Sequence, residues 1–538
     1  MKSKVFVTCS LLICLALLLS ASVPCFAGLV NPRKVSQINW SKATAPALTA
    51  SLKGTPNPGG NNVQIKNNRD LIVVYPLSKP SVSSSNAEAN YVQWAIDNVN
   101  PGGTVRLMMK DLLKGINRVF DFGGRKVFVL NGIIIEGEKV SSVMGDKWTT
   151  AEAANQNFEI IEPTVKRTIK SDRAVIYNGG IQVGWMNFIP VEPYVINNPP
   201  DQDYTVRSLR FEKAKTFGIV TFGSKKLAIN DNVITTVVPG PNQLFGYIEA
   251  EGIVILGAHE LSEEAKVENN YVDIFGDDSA KDPMVNWTTN PYGDFDSRAD
   301  GIQILGTQAG GLTKKLYIKD NYIKNAASAG IYLMSIGNTI TSIERNTIKQ
   351  RQFNNIYDSY GNVALLGEGI SAFGNADGAQ MTIASNTIEG VTGDGIGIYG
   401  LESFSPTFAA ENILVKNNKV SRILFNGKAW FNTVAGTYIV SGISAGGTSK
   451  NNSIEGNVIT GTGAYGIMLA QSSHNNTVVN PYNGLIGFTP ATASQMQGSG
   501  WPYNTAQIFL GPSTESNTVD CGGATIIDLG TNTKNNCP

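Results

Sequence analysis

The chain is poorly supplied with imidazole chemistry: its 538 residues include two histidines, His259 and His474. No Ser/His/Asp order, zinc-ligand spacing, phosphate loop or dinucleotide fingerprint is present. Carboxylates are the remaining groups able to move protons, and a repeated phrase puts them in order. The phrase is a small or acidic residue, then Gly-Ile, then alternating apolar residues. It reads Phe217-Gly-Ile-Val-Thr-Phe-Gly, Glu251-Gly-Ile-Val-Ile-Leu-Gly and Asp300-Gly-Ile-Gln-Ile-Leu-Gly. It returns at Ala329, Glu368, Asp394, Ser441 and Tyr465, with a degenerate copy at Ala506. If each phrase is one rung of a stack, the leading residues form a column with about 4.8 Å between rungs.

In that column Glu251/Asp300 and Glu368/Asp394 are adjacent carboxylate pairs. Carboxyls about 5 Å apart suit retaining glycoside hydrolysis and wider pairs suit inversion. Crowding also raises one pKa of a pair, as an acid catalyst requires. This reading makes Asp300, Glu251 and Arg298 catalytic candidates and puts Glu368 and Asp394 against substrate. The structural alternative is that Asp and Glu cap the turn before each strand by accepting backbone N–H bonds.

A long insertion leads into Asp300. It runs from Asp273 through Asp277, Asp278, Lys281, Asp282, Trp287, Tyr292, Asp294 and Asp296 to Arg298. Aromatic faces stack on sugar rings, and carboxylates hydrogen-bond hydroxyls or hold Ca²⁺. Trp287, Tyr292 and Asp294 are therefore substrate-binding candidates, and Asp277 and Asp278 are candidate Ca²⁺ ligands. Long loops on regular scaffolds are disproportionately functional. The bland alternative is a solvated loop with a tucked-in Trp.

These groups need a scaffold, and a second phrase supplies half of it. Asn followed two residues later by Ile or Val interleaves with the Gly-Ile phrase, as in Asp231-Asn-Val-Ile, Asn269-Asn-Tyr-Val, Asp320-Asn-Tyr-Ile and Arg345-Asn-Thr-Ile. The series continues to Asn475-Asn-Thr-Val and Ser516-Asn-Thr-Val. Each phrase is a short strand of period two, bounded by a tight turn. Asn tolerates the left-handed conformation, and its side chain can hydrogen-bond the same position one coil on. The expectation is an internal Asn ladder beside an Ile/Val core that no single coil could bury alone. Glycine spacings of 24–29 residues are bare coils, whereas 39, 47 and 49 imply coils carrying loops. Before the repeats, Ser85-Asn-Ala-Glu88 is a capping box opening a helix over 85–99, with Val92, Ala95, Ile96 and Val99 on one face. Thr104–Met108, Lys126–Leu130 and Gly132–Gly137 read as strands. Residues 138–205 are less regular, and 28–80 form an N-terminal extension to a body spanning 81–538.

Over roughly residues 200–530 the two phrases resemble the right-handed parallel β-helix superfamily, the pectate-lyase-like fold. The resemblance implies an all-β right-handed solenoid, and it makes the helix before Gly102-Gly103-Thr104-Val105 the cap of its open end. Arg298-Ala-Asp300-Gly-Ile is similar to the Asn-Thr-Asp-Gly segment of polygalacturonases, which would place a catalytic Asp at Asp300. In the next coil, where those enzymes carry an Asp pair, this chain reads Ala326-Ala-Ser-Ala329, and their Gly-His-Gly and Arg-Ile-Lys segments are absent. Tyr271-Val-Asp273-Ile-Phe-Gly is similar to a pectin methylesterase phrase, without that family's Arg-containing segment. Pectate-lyase Arg motifs are not recognisable.

The first residues point to export. Lys2 and Lys4 precede an apolar run from Val5 to about Ala21, then Val23-Pro24-Cys25-Phe26-Ala27. That is a signal peptide over 1–27, and Pro24 argues against a lipoprotein reading of Cys25. Removing Lys2 and Lys4 leaves 41 basic against 43 acidic side chains, no electrostatic footprint for nucleic acid or an anionic membrane. Cys521 and Cys537 remain, an even pair expected as one disulfide in an oxidising compartment. The expected function is binding, with cleavage or modification, of an extracellular polysaccharide by a hydrolase or lyase, the latter needing Lys281 or Arg298 as base and Ca²⁺ on a uronate. The alternative is a non-catalytic surface or envelope protein. The sequence leaves open the final location, whether periplasmic, cell-surface or secreted, and the oligomeric state.

Overall fold

The computed structural model describes residues 52–78, 87–129, 131–140, 156–161, 166–183, 202–238, 240–241, 248–274, 297–307, 314–326, 328–336, 339–350, 367–374, 380–391, 393–400, 409–424, 431–432, 436–437, 441–490 and 506–538. Nearly all strand pairing among them is parallel, and three ladders of strands run the length of a solenoid. One ladder holds the Gly-Ile strands. It steps from Phe217–Asn230 to Glu251–Glu268, Ile302–Thr307, Ala329–Ile336, Glu368–Phe373, Ile396–Tyr399, Ser441–Gly446 and Tyr465–Leu469. Register survives the insertions: Ile253 pairs with Ile302 across the longest coil as cleanly as Ile302 pairs with Ile331 across a bare one.

The core follows from the alternation. Ile219, Ile253, Ile302, Ile331, Ile370, Ile396 and Ile443 are wholly buried and stack on one another inside the coil. Each removes a branched aliphatic side chain from water, a gain of about 1.5–3 kcal/mol. The preceding glycine is obligatory, because the strand enters against its neighbour. A Cβ at Gly301 would lie 2.6 Å from the Gly330 carbonyl oxygen and overlap the Ile323 side chain.

At the opposite corner the expected Asn ladder is present. Asn232, Asn270, Asn321, Asn346, Asn386, Asn418 and Asn457 are buried one above another. The first six Nδ2 groups each donate to the next Oδ1 at 2.9–3.1 Å, and each Nδ2 of the seven donates to a carbonyl of the preceding coil. Two details differ from expectation. The left-handed residue is the one before the ladder Asn: Asp231, Asn269, Asp320, Arg345, Ser385 and Asn417 have φ of 54–58°. That residue makes the turn and frees the Asn to point inward. The series also divides, because Asn476 and Asn517 stack on Asn452 and Asn532 in a second ladder that begins beside the end of the first.

The N-terminal end is closed by helix α1 (Ala87–Asn98). Its apolar face, Val92, Ala95 and Ile96, is buried in the solenoid core. Glu88 lies in its first turn. Its carboxylate accepts the N–H groups of Leu77 and Asp121, both at 2.7 Å, tying the helix to two chain segments of the end coil. Ser85 lies outside the described residues. Leu71–Val74 pairs in parallel with Thr104–Leu107, so part of the 28–80 segment belongs to the ladder. At the other end a disulfide joins Cys521 and Cys537, with Cα atoms 5.0 Å apart. Residues 1–27, expected as a signal peptide, lie outside the described residues, and no described helix is long and apolar enough to cross a membrane.

Candidate functional site

The Gly-Ile ladder sends the first and third residues after each glycine into the core and the second and fourth outward. An outward row would ordinarily be wet. Here Gln303, Ser371 and Ser444 sit in that row and are at most 1% exposed. The carboxylate column runs beside them, with Glu251, Asp300, Glu368 and Asp394 at 0–5% exposure. Buried polar groups on an outer face are the informative exception on a protein surface.

The column has a structural duty that the hydrogen bonds make explicit. Glu251 accepts the N–H of Asp300 at 2.9 Å, Asp300 that of Ala329 at 2.9 Å, and Asp394 that of Ser441 at 2.8 Å. Where the column residue has no acceptor, a carbonyl takes over. Above Phe217 the Glu251 N–H goes to Thr216, and above Ala329 the Glu368 N–H goes to Ser328. The carboxylates therefore replace backbone acceptors at this corner, which is the capping alternative. Glu251 and Asp300 meet through the Asp300 backbone amide, not as a bare carboxyl pair. The second Asp300 oxygen accepts the Gln303 amide at 3.1 Å.

Asp394 differs from the others. One oxygen caps Ser441, while the other receives two hydroxyls, from Tyr399 and Ser444. Burial pushes its pKa up to about 6, against the opposing pull of the Ser444 and Tyr399 hydroxyls and the Ser441 amide. Glu368, one rung earlier, receives the Ser371 hydroxyl. Alongside runs a row of rings: Tyr332 and Phe373 have centroids 5.4 Å apart, and Phe373 stacks on Tyr399 at 4.9 Å. This arrangement can hold a proton on a buried carboxyl near neutral pH, and of the three rings beside it Tyr399 is the one partly exposed.

The sequence pattern thus brought Glu251, Asp300, Glu368 and Asp394 into one column, as expected. The Arg298 backbone lies in a short strand, Ser297–Arg298, pairing with Ile248–Glu249, and its side chain is outside the described residues. Trp287, Tyr292, Asp294, Asp277, Asp278 and Lys281 lie outside them as well. Among the described residues no group of three or more His, Cys, Asp or Glu is placed to hold a metal ion. Sequence reasoning missed Gln303, Tyr332, Ser371, Phe373, Tyr399 and Ser444. A signal existed, because all occupy the second or fourth place after the glycine of the phrase.

Residues 296–482, about a third of the chain, match the family model described as right handed beta helix region. No curated protein matches. Similar solved structures include DFA-IIIase from Arthrobacter chlorophenolicus in complex with GF2, at 12% identity and TM-score 0.38, covering 85% of this chain and 95% of that one. The A-module of a mannuronan C-5 epimerase from Azotobacter vinelandii has 11% identity and TM-score 0.34, with 83% and 92% covered. A tailspike protein mutant of E. coli bacteriophage HK620 in complex with a pentasaccharide has 9% identity and TM-score 0.39, with 86% and 76% covered. The fold of this chain is the right-handed parallel β-helix.

Proposed function

We propose that this is an exported protein that binds an extracellular polysaccharide along the outer face of its Gly-Ile ladder and cleaves or modifies it there. The observation that carries the reading is the Asp394 carboxyl, raised toward neutrality and met by two hydroxyls, beside the row Tyr332, Phe373 and Tyr399. A carboxyl with such a pKa suits general acid–base work at the pH of most extracellular fluids. The apolar leader with its two lysines and the Cys521–Cys537 disulfide support export. Glu368 is the neighbouring carboxyl for a two-carboxylate mechanism, and the acidic aromatic segment preceding Asp300 in the sequence supplies Asp277 and Asp278 as Ca²⁺ candidates.

The capping bonds made by Glu251, Asp300 and Asp394 favour a second reading, a non-catalytic glycan-binding protein in which the column serves only the scaffold. One experiment separates the two. The mature chain is incubated with a panel of neutral and acidic polysaccharides, and reducing ends, unsaturated products and binding are followed together. Turnover abolished by Asp394→Asn supports the enzyme. Binding without turnover supports the second reading, and neither binding nor turnover overturns both.

A further inference from the structure

The Asp394 carboxyl cannot meet a ligand directly. It is 1% exposed, and Ser444, one of its two hydroxyl partners, is wholly buried. The third member of the cluster, Tyr399, is partly exposed. Tyr399 therefore stands between the sealed carboxyl and whatever lies over the ladder, with its hydroxyl on Asp394 and 3.3 Å from the Ser444 oxygen. The ring reaches that position by folding back across its own strand over Gly397, which occupies the outward place that Ser371 and Ser444 fill on the flanking rungs. A Cβ at Gly397 would come within 2.8 Å of the Tyr399 hydroxyl oxygen and overlap the ring. This glycine has no positive φ to explain it. Its missing side chain makes room for the phenol.

Resting on the proposed function, we infer that Tyr399 is a catalytic residue that relays a proton between substrate and Asp394, and that Gly397 is the residue positioning it. In the hydrolytic case a water forms the new bond to the anomeric carbon while one of its protons passes to Tyr399 Oη. The phenolic proton passes in the same step to Asp394 Oδ2. The glycosidic C–O bond breaks with its electron pair on the leaving oxygen, which takes a proton from solvent. Asp394 later returns its own proton to solvent, so the net change is hydrolysis alone. The groups facing Asp394 are Tyr399 on its own strand, Glu368 on the rung before, and Ser441 and Ser444 on the rung after. Of these only Glu368 carries a second carboxyl.

The test combines carboxyl ¹³C NMR titration of Asp394, assigned with Asp394→Asn, with kinetics on whichever polysaccharide the wild-type chain turns over. Tyr399→Phe and Gly397→Ala are expected to raise the Asp394 midpoint by the same amount, because each removes the phenolic donor that favours the ionised form. Both are expected to lower kcat about 100-fold or more with KM within about threefold, the size of a lost proton-transfer step. The pH–rate limb set by Asp394 moves with the NMR midpoint. Ser444→Ala removes the other donor to Asp394 Oδ2 while leaving the phenol in place, and should also raise the midpoint. Tyr399→Phe that retains kcat within about threefold overturns the relay alone, as does Gly397→Ala with an unmoved midpoint. A wild-type chain with no turnover overturns the relay together with the catalytic reading beneath it.

Discussion

Asn346→Ala is the sharpest test of how the solenoid holds together. Asn346 sits mid-ladder at 1% exposure. Its side chain accepts from the Asn321 backbone N–H at 3.0 Å and from Asn321 Nδ2 at 2.9 Å. It donates to the Ile318 carbonyl at 2.8 Å and to Asn386 Oδ1 at 3.0 Å. Truncation removes all four bonds and leaves three groups without a replacement: the Asn321 backbone N–H, the one Asn321 Nδ2 proton not held by the Val267 carbonyl, and the Ile318 carbonyl. Asn386 Oδ1 keeps the Asn346 backbone N–H. An orphaned buried polar group costs about 1–3 kcal/mol, so the substitution should cost about 3–9 kcal/mol. That range overlaps the whole stability of many domains. Asn532, which closes the second ladder, supplies the comparison. It also makes four side-chain bonds, but it is only half-buried, so water can take over. Asn532→Ala should cost about 1 kcal/mol. Urea unfolding of the chain, followed by circular dichroism, reads both, with a lower midpoint and an unchanged slope for a pure stability effect. If Asn346→Ala falls no further than Asn532→Ala, the ladder is a by-product of the coil and not what secures its corner.

Three further outcomes follow from other parts of the molecule. Gly301→Ala forces a Cβ against the Gly330 carbonyl and the Ile323 side chain, and should cost about 1–3 kcal/mol by overpacking, read as a lower melting temperature. Replacing Cys521 and Cys537 by Ser opens a loop spanning 16 residues and should cost about 3 kcal/mol, matched by adding reductant to the wild type. Burial raises Glu88 from 4.5 to about 8, outweighing the Leu77 and Asp121 N–H bonds that favour its charged form. The folded state then holds a proton that the unfolded chain releases. This contribution to stability is complete below about pH 4.5 and is lost as pH rises to about 8. The urea midpoint should decline over that window, and Glu88→Gln should remove the part of the decline above about pH 6, beyond the range of Asp394. A Glu88→Gln profile parallel to wild type would show that other groups set the slope.

The repeat was legible because a solenoid writes the same physical demand once per coil. Glycine is demanded where one strand passes another's carbonyl, Ile where the core must be filled, and Asn where a buried corner needs both donors and acceptors. The division into two ladders was hidden, because Asn475-Asn-Thr-Val and Arg345-Asn-Thr-Ile satisfy the same local pattern. The site was legible only as a column. Glu251, Asp300 and Asp394 recur before Gly-Ile because a carboxylate can replace a carbonyl as acceptor for the next coil's N–H, and that demand is met at Asp300 as well as at Asp394. Column position therefore cannot rank them. What ranks them is the second oxygen, given to an amide at Asp300 and to two hydroxyls at Asp394. That difference is set by residues two and four places beyond the glycine, where the repeat leaves the side chain unconstrained. In a solenoid the invariant positions build the stack, and the positions that vary from rung to rung, Gly397, Tyr399 and Ser444 among them, are where chemistry can be placed without disturbing it.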